Sequence, residues 1–370
     1  MAALRPPRQL SSEGLVTLSV GLEEAIAGPG AIPVATAPAA AEHERLRMGG
    51  LDALRMLAAV LVFVFHLTVH TSIDFGPLTV FAAHARVGVI MFFVLSGYLL
   101  IRPFLYSPVS LRSYALRRLA RILPAYYLAL VGSSLLLQNT EVLRFPLEYL
   151  TLTQNYDPAA TGNFVTVSWT LTIELAFYAV VPLIALGLSA LRPLRAVEAV
   201  CIGMAASLAG IFAMMVLYRG PGLAFLLLPF FMWAFGFGIL LAVVERHWPV
   251  RLRRLERWGL WIGAALLILA LWIGAAAPID IPTAGASFFL VAALRRRTVP
   301  SWAAGLGNRC SYSFYLWHEQ IIQATTGFMA GWPVAFIAGS AAIAVSLVSY
   351  QIVERPAQRW AARQSSRTQA

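Results

Sequence analysis

Two residues with catalytic potential stand out on one apolar stretch, LDALRMLAAVLVFVFHLTVH, residues 51–70. Arg55 is a permanent cation, and His66 is a titratable base eleven positions later. At 100° per residue the two fall within about 20° of the same helix face. They lie on the order of 16 Å apart along the axis at 1.5 Å per residue. Burying either in lipid costs a few kcal/mol on insertion scales, so the pair points to a polar cavity inside a bundle. The competing reading is a snorkelling arginine plus a structural histidine bonded to a neighbouring helix.

Further candidates lie on other apolar runs. Glu174, in SWTLTIELAFY with Trp169, falls at a depth similar to that of His66. A carboxylate facing an imidazole fixes its tautomer and supports general-base chemistry, whereas a register-setting ion pair is the bland alternative. Arg117, Arg118 and Arg121 stand in YALRRLARILPAYY. Arg118 and Arg121 share a face at i, i+3 and can grip a phosphate with forked hydrogen bonds; plain anchoring at the membrane surface also explains them. NRCSYSFYLWHEQ is polar for a membrane helix. Its Tyr312, Ser313, Tyr315, Trp317 and His318 are candidates to line a cavity, with an interfacial aromatic belt as the alternative. Ser96 and Tyr98, in FFVLSGY, are further lining candidates, but Ser96 lacks the GxSxG elbow of a serine hydrolase. His66 and His70 have the i, i+4 spacing of a zinc helix, yet HLTVH lacks the glutamate and a third ligand, so no metal is expected.

The elements that must position these groups follow from composition. The 370 residues are 59% hydrophobic and only 12% charged, about half the charged fraction of a soluble domain. The mean hydropathy is +0.73. Apolar runs therefore predict an all-α polytopic membrane bundle of about ten spans. They are residues 52–70, 87–105, 120–138, 168–189, 196–217, 222–244, 258–276, 281–294, 304–329 and 333–353. All 28 basic residues are arginines, and the net charge of +11 reads as topology rather than nucleic-acid binding. With both termini cytoplasmic, only Arg86, Arg144 and Arg219 fall in outside loops, and Arg55 lies within a span. The longest outside connection, residues 138–167, is rich enough in aromatic and amide groups to meet a sugar, or to serve as a lid. The long inside connection is residues 102–121. Residues 1–47 read as a disordered cytoplasmic tail, 48–355 as the membrane domain and 356–370 as a cytoplasmic C-terminal tail. Cys201 and Cys310 make no disulfide or zinc pattern.

Five separated segments, in order, resemble the acyltransferase-3 family of integral-membrane O-acyltransferases. They are LDALRMLAAVLVFVFH, GVIMFFVLSGYLL, RRLARILPAYY, SWTLTIELAFY and SYSFYLWHE. The resemblance implies transfer of an acyl group, commonly acetyl, from cytoplasmic acyl-CoA to a hydroxyl of an extracytoplasmic carbohydrate, glycolipid or glycosylated metabolite. It implies a catalytic role for His66, with Arg55 in the same motif and Glu174 as a functional glutamate. Arg118 and Arg121, with Arg117 beside them, would meet the CoA phosphates. Acyl-CoA would be a co-substrate, with no tightly bound cofactor, in the cell inner (plasma) membrane. The chain departs from many members at Ile90, where they carry aspartate. A transporter exporting an acylated or small anionic solute is the alternative class.

Overall fold

In the computed structural model, residues 37–162, 165–218, 226–274 and 280–367 are described, with backbone only for 37–48. The chain divides into a short unit, Met1–Leu46, and a main unit, Arg47–Ala370, which contains every candidate residue. The expected tail lies outside the described residues up to residue 36, and helix begins at Ala37. No strand occurs among the described residues.

Among the described residues, ten helices of fourteen or more residues fall in the ten predicted stretches. They are α1 (Ala37–His70), α2 (Gly88–Tyr106), α3 (Leu111–Leu137), α4 (Trp169–Ser189), α5 (Pro193–Tyr218), α6 (Met232–His247), α7 (Pro249–Ile273), α8 (Ile281–Leu294), α9 (Ser301–Thr326) and α10 (Trp332–Ser349). A π turn, Tyr350–Glu354, carries α10 into α11 (Arg355–Arg367), so the expected C-terminal tail is helical. Among the described residues, seven helical segments are long and apolar enough to cross a membrane, and α6, α8 and α9 are not. The first two are short, whereas α9 is long but polar.

α6 begins at Met232, after a 3-10 turn at Leu228–Phe230, rather than at residue 222. Two further starts differ from expectation for one reason. α3 and α7 start nine residues before the predicted positions, because the arginine-rich segments ahead of them are helical rather than connecting. Arginine is a good helix former, and Ser110 caps α3 by accepting from the Ser113 amide at 3.4 Å. Pro249 opens α7 in the first turn, where its missing N–H costs nothing. The long connection expected at 102–121 therefore shrinks to residues 107–110. Described residues of connection 138–167 are tied to the bundle: Tyr126 donates to Tyr149 O at 2.7 Å, and Tyr149 donates to Ala160 O at 2.9 Å.

Close crossings bring the helices together. A Cβ on Gly97 of α2 would sit 2.2 Å from Phe235 O, and one on Gly238 of α6 would sit 2.0 Å from Val94 O. Small residues at such a crossing let two backbones touch, as membrane helices without a hydrophobic driving force require. Both obstacles are backbone atoms, which cannot swing aside. Gly238→Ala is expected to force α2 and α6 apart and cost about 1–3 kcal/mol. A lower thermal-unfolding midpoint of the purified protein in detergent checks this.

Candidate active site

The site has two stations on α1. Toward the N-terminal end of the apolar stretch 51–70, Arg55 pairs with Asp52 at 2.8 Å. Arg55 also lines a cavity bounded by α1, α2, α3, α4 and α9. Arg118 and Arg121 line the same cavity, as do Ser96, Glu174, Tyr178, Tyr312 and Tyr315. The helical i, i+3 spacing thus brings Arg118 and Arg121 to one wall, while Arg117 turns outward and donates to Ser365 of α11 at 3.3 Å.

Neither Arg118 nor Arg121 makes a hydrogen bond or ion pair to protein among the described residues. Arg118 instead lies over the rings of Tyr114 and Tyr178, at 5.7 and 5.8 Å from their centroids. The stacking holds its plane without using its N–H donors. Two unspent guanidinium forks therefore face a cavity that contains one lining carboxylate, Glu174. Such a wall suits a polyanion bearing phosphates.

At the C-terminal end of α1 lies the second station. His66 Nδ1 is 3.0 Å from both Val62 O and His318 Nε2. His318 Nδ1 is 3.1 Å from Phe314 O. Both carbonyls require N–H donors, so each ring carries its proton on Nδ1. His66 Nδ1–H is then shared between Val62 O and the His318 Nε2 lone pair, leaving His66 Nε2 as a free base. Facing that nitrogen at 3.8 Å is Glu319 Oε2. The Glu319 carboxylate is itself fixed by His70 Nε2 at 3.0 Å and by the Thr166 hydroxyl. His318 and Glu319 are buried, and the His66 side chain keeps 13% of its surface exposed. Among the described residues no cluster of three or more His, Cys, Asp or Glu converges to hold a metal ion; the imidazole nitrogens bond to each other instead.

Glu174 does not face His66. Its Oε1 accepts from Ser96 at 3.1 Å and Tyr178 at 2.8 Å, within the arginine-lined cavity. Depth along two helices does not fix azimuth: Glu174 sits on the α4 face turned to α2, and the carboxylate beside His66 comes from α9. Glu319 follows His318 directly, and Thr166 sits in the connection before α4. The sequence signal for the pair was the acidic residue inside a polar span, in WHEQ. Thr166 had no signal of its own. Its neighbour Val165 adopts φ 43°, a left-handed conformation costing a β-branched residue about 1–3 kcal/mol. That strain accompanies a backbone that aims Thr166 at Glu319.

Between the stations lies one layer. Tyr315, whose hydroxyl is 3.1 Å from Thr170 Oγ1, lines the cavity on one side. Its ring centroid lies 5.8 Å from that of His318 on the other. His66 is not among the residues lining the cavity.

The remaining lining candidates divide. Ser96, Tyr312 and Tyr315 line the cavity, and Tyr312 also donates to Ile122 O at 2.9 Å. Trp169 packs on Phe93 and Phe231, and Trp317 fills the space over Gly132 of α3. Ser313 turns to Ser349 and Glu354. Tyr98 leaves the cavity altogether and donates to Glu245 Oε2 at 2.7 Å. Glu245 also meets Arg102 at 3.2 Å and Arg295 at 3.6 Å, and Arg295 reaches Glu256 at 2.6 Å. This charged knot ties α2, α6, α7 and α8 together away from both stations. Tyr98→Phe should therefore lower stability by about 1.5–3 kcal/mol, the scale of a hydrogen bond to a charged acceptor, and leave turnover per folded molecule unchanged. Denaturation in detergent alongside an activity titration checks both halves.

Residues 48–351 match a family model described as an acyltransferase domain. The chain is also similar to nodulation protein 10 of Rhizobium leguminosarum bv. viciae, at 26% identity over 357 residues, covering 86% of this chain and 95% of that protein. No solved structure matches.

Proposed function

Since the chain belongs to the acyltransferase-3 family and is an integral-membrane acyltransferase, we propose that it takes its acyl group from acyl-CoA and that His66 drives the transfer. The transporter alternative gives way to enzyme chemistry. The observation that carries the donor assignment is the pair of unpartnered guanidiniums, Arg118 and Arg121, on one wall of the cavity. CoA presents three phosphate groups and a long neutral arm. Its phosphates suit these forks, with Arg55 deeper in the same cavity and the pantetheine arm directed at Tyr315.

Sidedness follows from the arginine distribution, which puts both termini and the arginine mouth in the cytoplasm of a cell whose inner (plasma) membrane holds the protein. The histidine station then lies toward the outer surface, under residues 138–167. An acceptor hydroxyl on a carbohydrate, glycolipid or glycosylated metabolite reaches His66 from that side. Acetyl is the acyl group that the family resemblance favours.

In the direct route, His66 Nε2 takes the acceptor proton as the oxygen attacks the thioester carbonyl. The C–S bond breaks, and the departing CoA thiolate takes the proton back from the imidazolium. The Glu319 carboxylate, 3.8 Å away, stabilises the imidazolium in between. In the alternative route His66 Nε2 attacks the thioester carbonyl, and the C–S bond breaks to release CoA thiolate. The acceptor hydroxyl then attacks the acyl-imidazolium, its proton passes to the thiolate, and the C–N bond breaks to return the neutral imidazole. In either route Glu174 acts inside the donor cavity, beside Arg118 and Arg121, rather than on the imidazole.

Thiol release from acetyl-CoA by the reconstituted protein, with glycan acceptors supplied, tests the proposal. His66→Ala should lose about 10²–10⁴-fold in rate while remaining folded, and full activity in that variant would remove His66 from the chemistry. Glu319→Gln should lower kcat and leave the KM for acyl-CoA in place. Arg118→Ala and Arg121→Ala should each raise that KM about 10- to 100-fold, the loss of one or two charge-assisted hydrogen bonds. Unchanged KM in both would end the phosphate assignment.

A further inference from the structure

The α10–α11 junction departs from regular α-helix and carries a buried acid. An uninterrupted α-helix would continue past Ser349, but residues Tyr350–Glu354 form a single π turn. Such a turn inserts a residue into the helical ladder and rotates the side chains beyond it, and it recurs at functional positions. Here it turns Glu354 inward, 3% exposed, while Gln351, Ile352 and Arg355 remain exposed.

Burying a carboxylate costs several kcal/mol unless donors and a countercharge compensate. Glu354 accepts from the Ser313 hydroxyl, which lies 2.9 Å from Ser349 Oγ. One hydroxyl does not balance a buried negative charge. The π turn packs against α3, the helix that carries Arg121, a cation close enough to interact electrostatically with Glu354. The two are not in ion-pair contact, so Arg121 keeps its donors. Tyr312, next to Ser313, closes the arrangement: it donates to Ile122 O, one residue from Arg121, and lines the cavity with it.

We propose that Glu354, presented by the π turn and held by Ser313, is a positioning residue that keeps the Arg121 guanidinium at the cavity wall. A carboxylate in contact would consume the fork and neutralise it. Set one layer back, it anchors the cation while leaving its donors for an incoming phosphate. This inference rests on the phosphate reading of Arg118 and Arg121.

Two donors separate the inference from its premise: acetyl-CoA, and S-acetyl-pantetheine, which carries the same thioester without phosphates. Both are assayed with the full-length reconstituted protein. The wild type should show a much lower KM for acetyl-CoA than for S-acetyl-pantetheine. Glu354→Gln should raise the KM for acetyl-CoA about tenfold, leave its kcat within about twofold, and leave both constants for S-acetyl-pantetheine unchanged. Glu354→Asp should recover part of the loss. Ser313→Ala, which frees the carboxylate but keeps its charge, should raise the acetyl-CoA KM by a smaller factor, and it decides the matter where Glu354 variants fail to fold.

If the wild type treats the two donors alike, the phosphate reading itself falls, and this inference with it. If the wild type discriminates but Glu354→Gln or Ser313→Ala leaves the acetyl-CoA KM unchanged, only the role of Glu354 falls. A loss shared equally by both donors marks a merely structural carboxylate and also overturns the proposal.

Discussion

Removing charge from water is the constraint that organises this bundle. The effective penalty is several kcal/mol per ion, and it is met only where several helices bring partners to one point. Glu245 gathers Tyr98, Arg102 and Arg295, and Glu319 gathers His70, Thr166 and the edge of His66. Beside so many compensated ions, Arg118 and Arg121 are exceptional. Tyrosine rings shelter Arg118, but no protein acceptor takes up the N–H groups of either among the described residues. The imbalance has a direction, toward a ligand that brings negative charge of its own.

α9 explains how one bundle supports two stations. It is too polar to qualify as a spanning segment by itself, yet the apolar helices around it bury most of its length. Successive turns serve different purposes. Tyr312 and Tyr315 line the cavity, Ser313 holds Glu354, and His318 and Glu319 complete the histidine cluster. The hydrophobic shell thus carries the insertion energy, and the polar central helix carries the chemistry.

Much of this was legible in the sequence, and the missing part has a physical cause. Apolar runs located all ten long helices, because lipid imposes length and hydropathy on every spanning segment. The eleven-residue spacing of Arg55 and His66 pointed to one face on one polar cavity, but only Arg55 lines it while His66 meets His318; the i, i+3 spacing put Arg118 and Arg121 on one wall. Helix starts failed where arginines extended α3 and α7, since charge marks a boundary of the membrane and not of the helix. Partners across helices failed too. Glu174 lies on the arginine side of the Tyr315–Thr170 layer and Glu319 lies at His66, so depth along α4 and the rotation of α4 and α9 about their own axes together choose between them. That rotation is set by packing, at contacts such as Gly132 of α3 with Trp317 of α9, and periodicity within one helix does not encode it.

The single layer formed by Tyr315 and Thr170 has a consequence for the cell. A transporter must open a passage wide enough for its whole cargo, and every opening risks the ion gradient. Here one aromatic layer, Tyr315 with Thr170, is the wall between the arginine-lined cavity and the histidine cluster. On the proposed route only a few atoms of acyl group move past that wall, and the nucleotide stays behind. The membrane can thus give up a chemical group without giving up its electrical seal.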